Sequence, residues 1–89
     1  VARAELSLPG ARGLKDKRRL VKSLVDRAQH RFHVCAAEVD HHDQWRRAAV
    51  AFACISTSAR HAHAIMARIG DFVEGQADMV LVDFQIEIR

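Results

Sequence analysis

Asp40, His41, His42 and Asp43 put four nitrogen- or oxygen-bearing side chains in a row, with Glu38 and His33 one strand-length upstream. A divalent cation would accept any of these donors. Four adjacent residues in one tight turn rarely converge on a single ion, however, and the chain contains neither a CxxC nor an HExxH spacing. The better account is hairpin chemistry: Asp and His support a bend, and Trp45 packs at its exit. No metal ligands and no cofactor are expected. His61 and His63 fall in the first turns of a second helix on an exposed face, where metal capture would be adventitious. Ser7, Ser23, Ser56, Thr57 and Ser58 read as strand, helix-face or cap residues, and nothing in the pattern aims a histidine at any of them. The residues therefore lend an enzyme little support, and no catalytic residue is assigned.

Positive charge is the second chemical signal. Residues 1 to 31 carry nine Lys/Arg against three Asp/Glu, and residues 32 to 89 carry five against eight. Arg12, Lys15, Lys17, Arg18, Arg19 and Lys22 form the dense part of the basic half, with Arg27 and Arg31 further along. Such a cluster can dock on phosphates, although a solvated helix face is the plainer alternative. Cations at a helix N-terminus gain nothing from the helix dipole, which favours a use outside the helix itself. Lys17 differs from the rest: advanced at helical spacing it falls inside the apolar stripe, so its ammonium is expected near the sheet end or the Pro-Gly loop, its stem covering core and its head reaching water. The loop Pro9-Gly10-Ala11-Arg12-Gly13 opens onto a helix N-terminus whose free N–H groups can hold an anion, giving Gly10 and Gly13 a candidate anion-binding role. Neither a Walker lysine pattern nor GxGxxG is present, so a nucleotide cradle of either type is not expected.

The elements that must position these groups follow from hydrophobic periodicity. Ala2, Ala4, Leu6 and Leu8 alternate with Arg3, Glu5 and Ser7, a half-buried strand. From Leu14 a stripe of Leu20, Val21, Leu24, Val25, Ala28 and Phe32 keeps helical spacing. Residues 33 to 40 and 45 to 56 read as a hairpin around the turn at 41 to 44. Thr57 or Ser58 can cap a second helix carrying Ala62, Ile65, Met66, Ile69, Phe72 and Val73, which Gly75 stops. The last run alternates Val80, Val82, Phe84, Ile86 and Ile88 with Leu81, Asp83, Gln85 and Glu87. The order β-α-β-β-α-β predicts an α+β, ferredoxin-like fold: a four-stranded antiparallel sheet with both helices on one face, built as one domain over residues 1 to 89. Its open face should show Ala49, Ala51, Ala53, Ile55 and Leu81 beside Glu5, Ser7, Asp83 and Gln85, a partly apolar surface that a second copy could cover, giving a homodimer. Glu38 and Asp40 are expected on one strand face, with an ion pair to Lys17 or Arg18. Cys35 and Cys54 are expected as buried, reduced thiols, position 35 lying opposite about position 50. No run approaches the length of a bilayer span, and the first eight residues alternate instead of forming a greasy block, so a cytoplasmic protein without membrane contact is expected.

The segment LPGARGLKDKRRLVKSLVDRAQHRF followed by AEVDHHDQW closely resembles the YlxP-like family of small bacterial proteins of unknown function. The likeness spans nearly the whole chain and is specific at Leu8-Pro9-Gly10, Leu14-Lys15, Lys17-Arg18-Arg19, Glu38-Val39-Asp40 and His41-x-Asp43-x-Trp45. It implies the same ferredoxin-like fold. It also implies a role linked to RNA or the ribosome, because members are often encoded beside translation and ribosome-maturation factors, and it brings no catalytic residues with it. This chain is richer in Arg and Ala than the family pattern, which bears on surface character more than on fold. The expected partner is ribosomal RNA or a ribosomal particle, engaged by the basic helix. The alternative is a homo-oligomeric structural or regulatory protein acting through the sheet face, and a small-molecule or metal site at the Pro-Gly loop and the Asp40 to Asp43 turn is the third possibility. The chain is poor in aromatics and has no Tyr, so a stacking platform for single-stranded RNA is not expected.

Overall fold

The computed structural model describes residues 1–88. Period-2 and period-3.6 patterns resolve into β1 (Ala2–Ser7), α1 (Leu14–Phe32), β2 (Cys35–Asp40), β3 (Arg47–Ala53), α2 (Ala59–Glu74) and β4 (Val80–Ile86). The strands form one antiparallel sheet in the order β2-β3-β1-β4. This is the ferredoxin-like α+β arrangement. Ala2, Ala4 and Leu6 of β1 and Ala48, Val50 and Phe52 of β3 are all buried on one sheet face. Val21, Leu24 and Ala28 of α1 and Met66, Ile69 and Val73 of α2 join them in one core, so both helices cover that face. Each such side chain removed from water contributes on the order of 1.5–3 kcal/mol for the larger residues, which is what holds the two layers together.

The helix ends are fixed locally. Ser58 Oγ accepts the His61 N–H at 3.3 Å and caps α2. At the end of α1, His33 adopts the left-handed conformation (φ 54°) and returns its N–H to Gln29 O at 2.9 Å, a stop usually made by glycine. Gly70 is needed for a different reason: a Cβ there would lie 2.9 Å from the Phe84 ring, so α2 approaches β4 at a distance only glycine permits.

Two bulges alter the faces that simple alternation predicts. In β4 the register passes from Glu5↔Asp83 to Leu6↔Leu81, which leaves Val82 as the extra residue. Phe84, Ile86 and Leu81 pack on the core while Val80 and Val82 are exposed, so Leu81 does not belong to the open face. Ile55 is not there either, because β3 ends at Ala53 and Ile55 is fully exposed beyond it. In β2 the register passes from Glu38↔Val50 to Asp40↔Ala49, with Val39 extra. Glu38 therefore faces the helices and Asp40 the open side, against the expectation that they share a face. The same hairpin register sets Cys35 opposite Ala53, not 50. Cys35 is exposed and Cys54 half-buried, and both are free.

Candidate nucleic-acid interface

β1 and β2 both run antiparallel to β3, so their C-terminal ends lie at the same end of the sheet. That geometry brings the β1–α1 loop against the β2–β3 hairpin. Leu8 N–H donates to Arg46 O at 2.9 Å, and a Cβ on Gly13 would sit 4.0 Å from the Trp45 ring. The start of α1, the Pro-Gly loop and the hairpin thus form one continuous end of the molecule.

Five of the six sequence-selected cations of this end are exposed: Arg12, Lys15, Arg18, Arg19 and Lys22. Arg19 donates to Asp16 at 2.6 Å and Lys22 to Asp26 at 2.8 Å, both within one helix turn. Exposed pairs of this kind contribute on the order of 0.3–0.5 kcal/mol and leave most of the cation's field directed outward. Arg12, Lys15 and Arg18 form no ion pair among the described residues. Sequence reasoning passed over Arg46, whose guanidinium stacks 5.2 Å from the Trp45 ring centroid at the same end. The signal was available in the topology, since a β2–β3 hairpin in this strand order must end beside the β1–α1 loop.

Lys17 separates from its neighbours. Its side chain is fully buried, and its Nζ lies 2.6 Å from Glu38 Oε2 and donates to His41 O at 2.7 Å. The head does not reach water. Glu38 Oε2 is buried without a hydrogen bond of good angle, so charge attraction to Lys17 is what compensates it. Lys17 is thus the cation that ties α1 to β2, and it is not available to a partner.

The Pro-Gly loop is also partly committed. Ala11 N–H closes a turn on Leu8 O at 3.1 Å, and Asp16 reaches back to accept the Arg12 N–H at 3.1 Å. Hydrogen bonds from Arg19 and from the Arg12 backbone hold the Asp16 carboxyl below its ordinary range. An anion approaching Gly13 meets that carboxylate at the helix start, with Arg12, Lys15 and Arg19 lining the same shallow hollow of about 550 Å³, which Gly10 does not line.

The acid/histidine turn is used in structure. Asp40 Oδ1 accepts the His41 N–H at 2.7 Å, and Asp40 Oδ2 accepts from Arg3 at 3.2 Å. His41, left-handed at φ 61°, donates from Nε2 to Glu5 Oε2 at 3.1 Å, and Arg3 donates to Glu5 Oε1 at 3.0 Å. His42 donates to Glu38 O at 3.3 Å. The contacts of Asp40 and His41 with Arg3 and Glu5 bridge from β2 to β1 across β3, directly over Ala49, which is completely covered. Partial desolvation raises the Glu5 pKa, but hydrogen bonds and charge from Arg3 and His41 outweigh it and leave the carboxyl below its ordinary value. Asp40 is lowered by the His41 N–H and then by Arg3. Among the described residues, no group of three or more His, Cys, Asp or Glu side chains is arranged to hold a metal ion.

A family model described as "Protein of unknown function (DUF503)" matches residues 1–86. The chain belongs to that family. It is similar to the Uncharacterized protein YlxP of Bacillus subtilis (strain 168), 29% identical over 73 residues, which cover 82% of this chain and 79% of that protein. Within this DUF503 member the YlxP-like segments map onto the end just described: Lys17 and Glu38 meet in the buried ion pair, and Trp45 closes the hairpin against the Pro-Gly loop. Among the described residues, no helix is long and apolar enough to cross a membrane.

Proposed function

We propose that this protein is a non-catalytic module that binds structured RNA, with ribosomal RNA in a ribosomal particle as its partner in the cytoplasm, and that it needs no cofactor. The observation that carries the reading is the end of the molecule where Arg12, Lys15 and Arg18 stand exposed without carboxylate partners among the described residues, with Arg19 and Lys22 beside them. Phosphate contacts of this kind position a protein on folded RNA without reading bases. Trp45 with Arg46 adds an amphipathic contact at the edge of the patch, while Lys17 is left to the fold. Neutralising about five phosphates predicts an affinity loss of roughly 10²–10³ between 50 and 200 mM salt.

Sedimentation of the native protein through a lysate gradient at low and moderate salt tests this, alongside a Lys15/Arg18/Arg19/Lys22→Glu variant. Salt-sensitive co-migration with ribosomal particles that the variant loses is the expected result. Migration of both as the same small free species would overturn it.

A second reading, self-association through the open sheet face, is favoured by exposed Val39, which lines one hollow with Ala51, and by Val80 and Val82, exposed on β4. Ala51→Arg should then abolish a dimer seen by ultracentrifugation and leave RNA binding intact. An unchanged sedimentation coefficient would remove this reading.

A further inference from the structure

Arg27, Arg31 and Arg68 converge on a groove between α1 and α2 that the basic start of α1 does not share. On α1, Arg27 and Arg31 lie about a third of a turn or more from Lys15 and Lys22, on the side facing α2. The groove, about 570 Å³, is floored by Phe32 and Phe72, whose rings meet edge to face with centroids 5.5 Å apart. Arg31 Cζ lies over both rings, 5.4 and 5.5 Å from their centroids, Arg27 over Phe72 at 5.8 Å and Arg68 over Phe32 at 5.9 Å. Three guanidinium groups thus gather over two aromatic rings contributed by both helices.

Their hydrogen-bonding capacity is largely unspent. Arg27 is braced: Nε donates to Ser23 and Nη1 to Gln76 Oε1 at 2.7 Å, and Gln76 is itself anchored on Phe72 O at 2.9 Å. Arg31 and Arg68 donate to no acceptor and pair with no carboxylate among the described residues. Each guanidinium carries five N–H donors in a planar fork that suits phosphate oxygens. Helix-dipole stabilisation accounts for a cation near the end of α1, but not for two helices sending three to one place. Asp71 also lines the groove, so its three cations and one carboxylate leave an excess of two positive charges.

We infer that this groove binds the dianionic phosphate of a small phosphate monoester, at a volume suited to a nucleotide-sized ligand. A phosphodiester, carrying one negative charge and two esterified oxygens, matches neither the charge nor the three forks. The inference is independent of the RNA reading, because no residue is common to the two sites.

The test is titration of the ¹⁵N-labelled protein with adenosine monophosphate, inorganic phosphate and cyclic adenosine monophosphate, repeated with Arg31→Ala, Arg68→Ala and Lys15/Arg18→Glu. Adenosine monophosphate should shift amide signals of residues 27–32 and 68–76 and bind at least tenfold more tightly than the cyclic diester. Each arginine variant should weaken binding by tenfold or more while keeping the native amide spectrum elsewhere, and Lys15/Arg18→Glu should bind as the wild type does. Equal or weaker binding than inorganic phosphate would mean that the groove reads a bare phosphate and not an ester, which overturns the ligand class. Absence of shifts at millimolar ligand, equal binding of the cyclic diester, or retention of binding by both arginine variants would overturn the site. Should either alanine variant lose its native spectrum, Arg31→Lys supplies the same comparison, keeping charge and stem while losing the fork.

Discussion

At the C-terminal end of β2, the two faces of the sheet solve the same problem in opposite ways. On the helix side, Lys17 and Glu38 form a largely dry ion pair, the Lys17 side chain fully buried and that of Glu38 17% exposed, with one extra acceptor, the carbonyl of His41. On the open side, Arg3, Glu5, Asp40 and His41 form a network with water still at hand: the Arg3 side chain is 43% exposed and that of Asp40 56%. His41 belongs to both, giving its carbonyl to one face and its ring to the other. The contrast shows where the fold is vulnerable. A dry pair gains little over an apolar replacement, yet loses heavily when one partner is removed, because the remaining charge cannot be rehydrated. A wet network gains modestly and loses modestly, since water replaces whatever is taken away.

The largest effect should follow from breaking the dry side. Glu38→Ala is expected to cost about 3 kcal/mol or more, lowering the thermal midpoint by more than about 10 °C, whereas Lys17→Met with Glu38→Leu should cost less than either single change. Calorimetry of the three variants checks this, and a double variant as unstable as the singles would contradict the account of a pair that gains little over an apolar replacement.

An intermediate effect is expected where the bridge crosses β3. Ala49→Leu should cost about 1–3 kcal/mol by forcing the Arg3, Glu5 and His41 contacts apart over a residue that is fully covered. Urea denaturation measures it, and a neutral result would mean that the network does not close over β3.

The smallest effect belongs to acid titration of the wet side. The folded-state pKa values of Glu5 and Asp40 are depressed, so their contribution is complete above the unfolded carboxylate values near 4 and is lost as pH falls through the folded ones. The thermal midpoint should stay level from pH 7 to 5, then fall by a few degrees below about 4, less so in Glu5→Gln. An unchanged acid slope in that variant would place the sensitivity elsewhere, with Asp16 the next carboxyl to examine.

Periodicity in the chain carried the element order, both helix faces and the inward position of Lys17. A local pattern is sufficient when an element is regular. It failed where one residue is inserted without any change of composition: Val39 and Val82 look like any other strand valines, yet each reverses the facing of the strand beyond it. The exposed cations at the start of α1 were legible because they are neighbours in sequence. The Arg27, Arg31 and Arg68 cluster was not, since it depends on α2 packing within reach of the far part of α1. Trp45 was placed at the hairpin exit, but its contact with the Pro-Gly loop required the tertiary meeting of two loops.

The bulge at Val39 also sets what kind of change this corner can absorb. β2 is two half-strands of opposite parity joined at one residue. Substituting Val39 alters a side chain that is 42% exposed and should be mild. Deleting it restores strict alternation and keeps the facing on both sides: Glu38 stays toward the helices opposite Val50, and Asp40, now its neighbour, stays on the open side opposite Ala49. The position is therefore permissive in identity and in length, so deletion of Val39 should be far milder than deletion of Glu38 or Asp40, each of which takes a carboxylate out of the Lys17 pair or the Arg3 network.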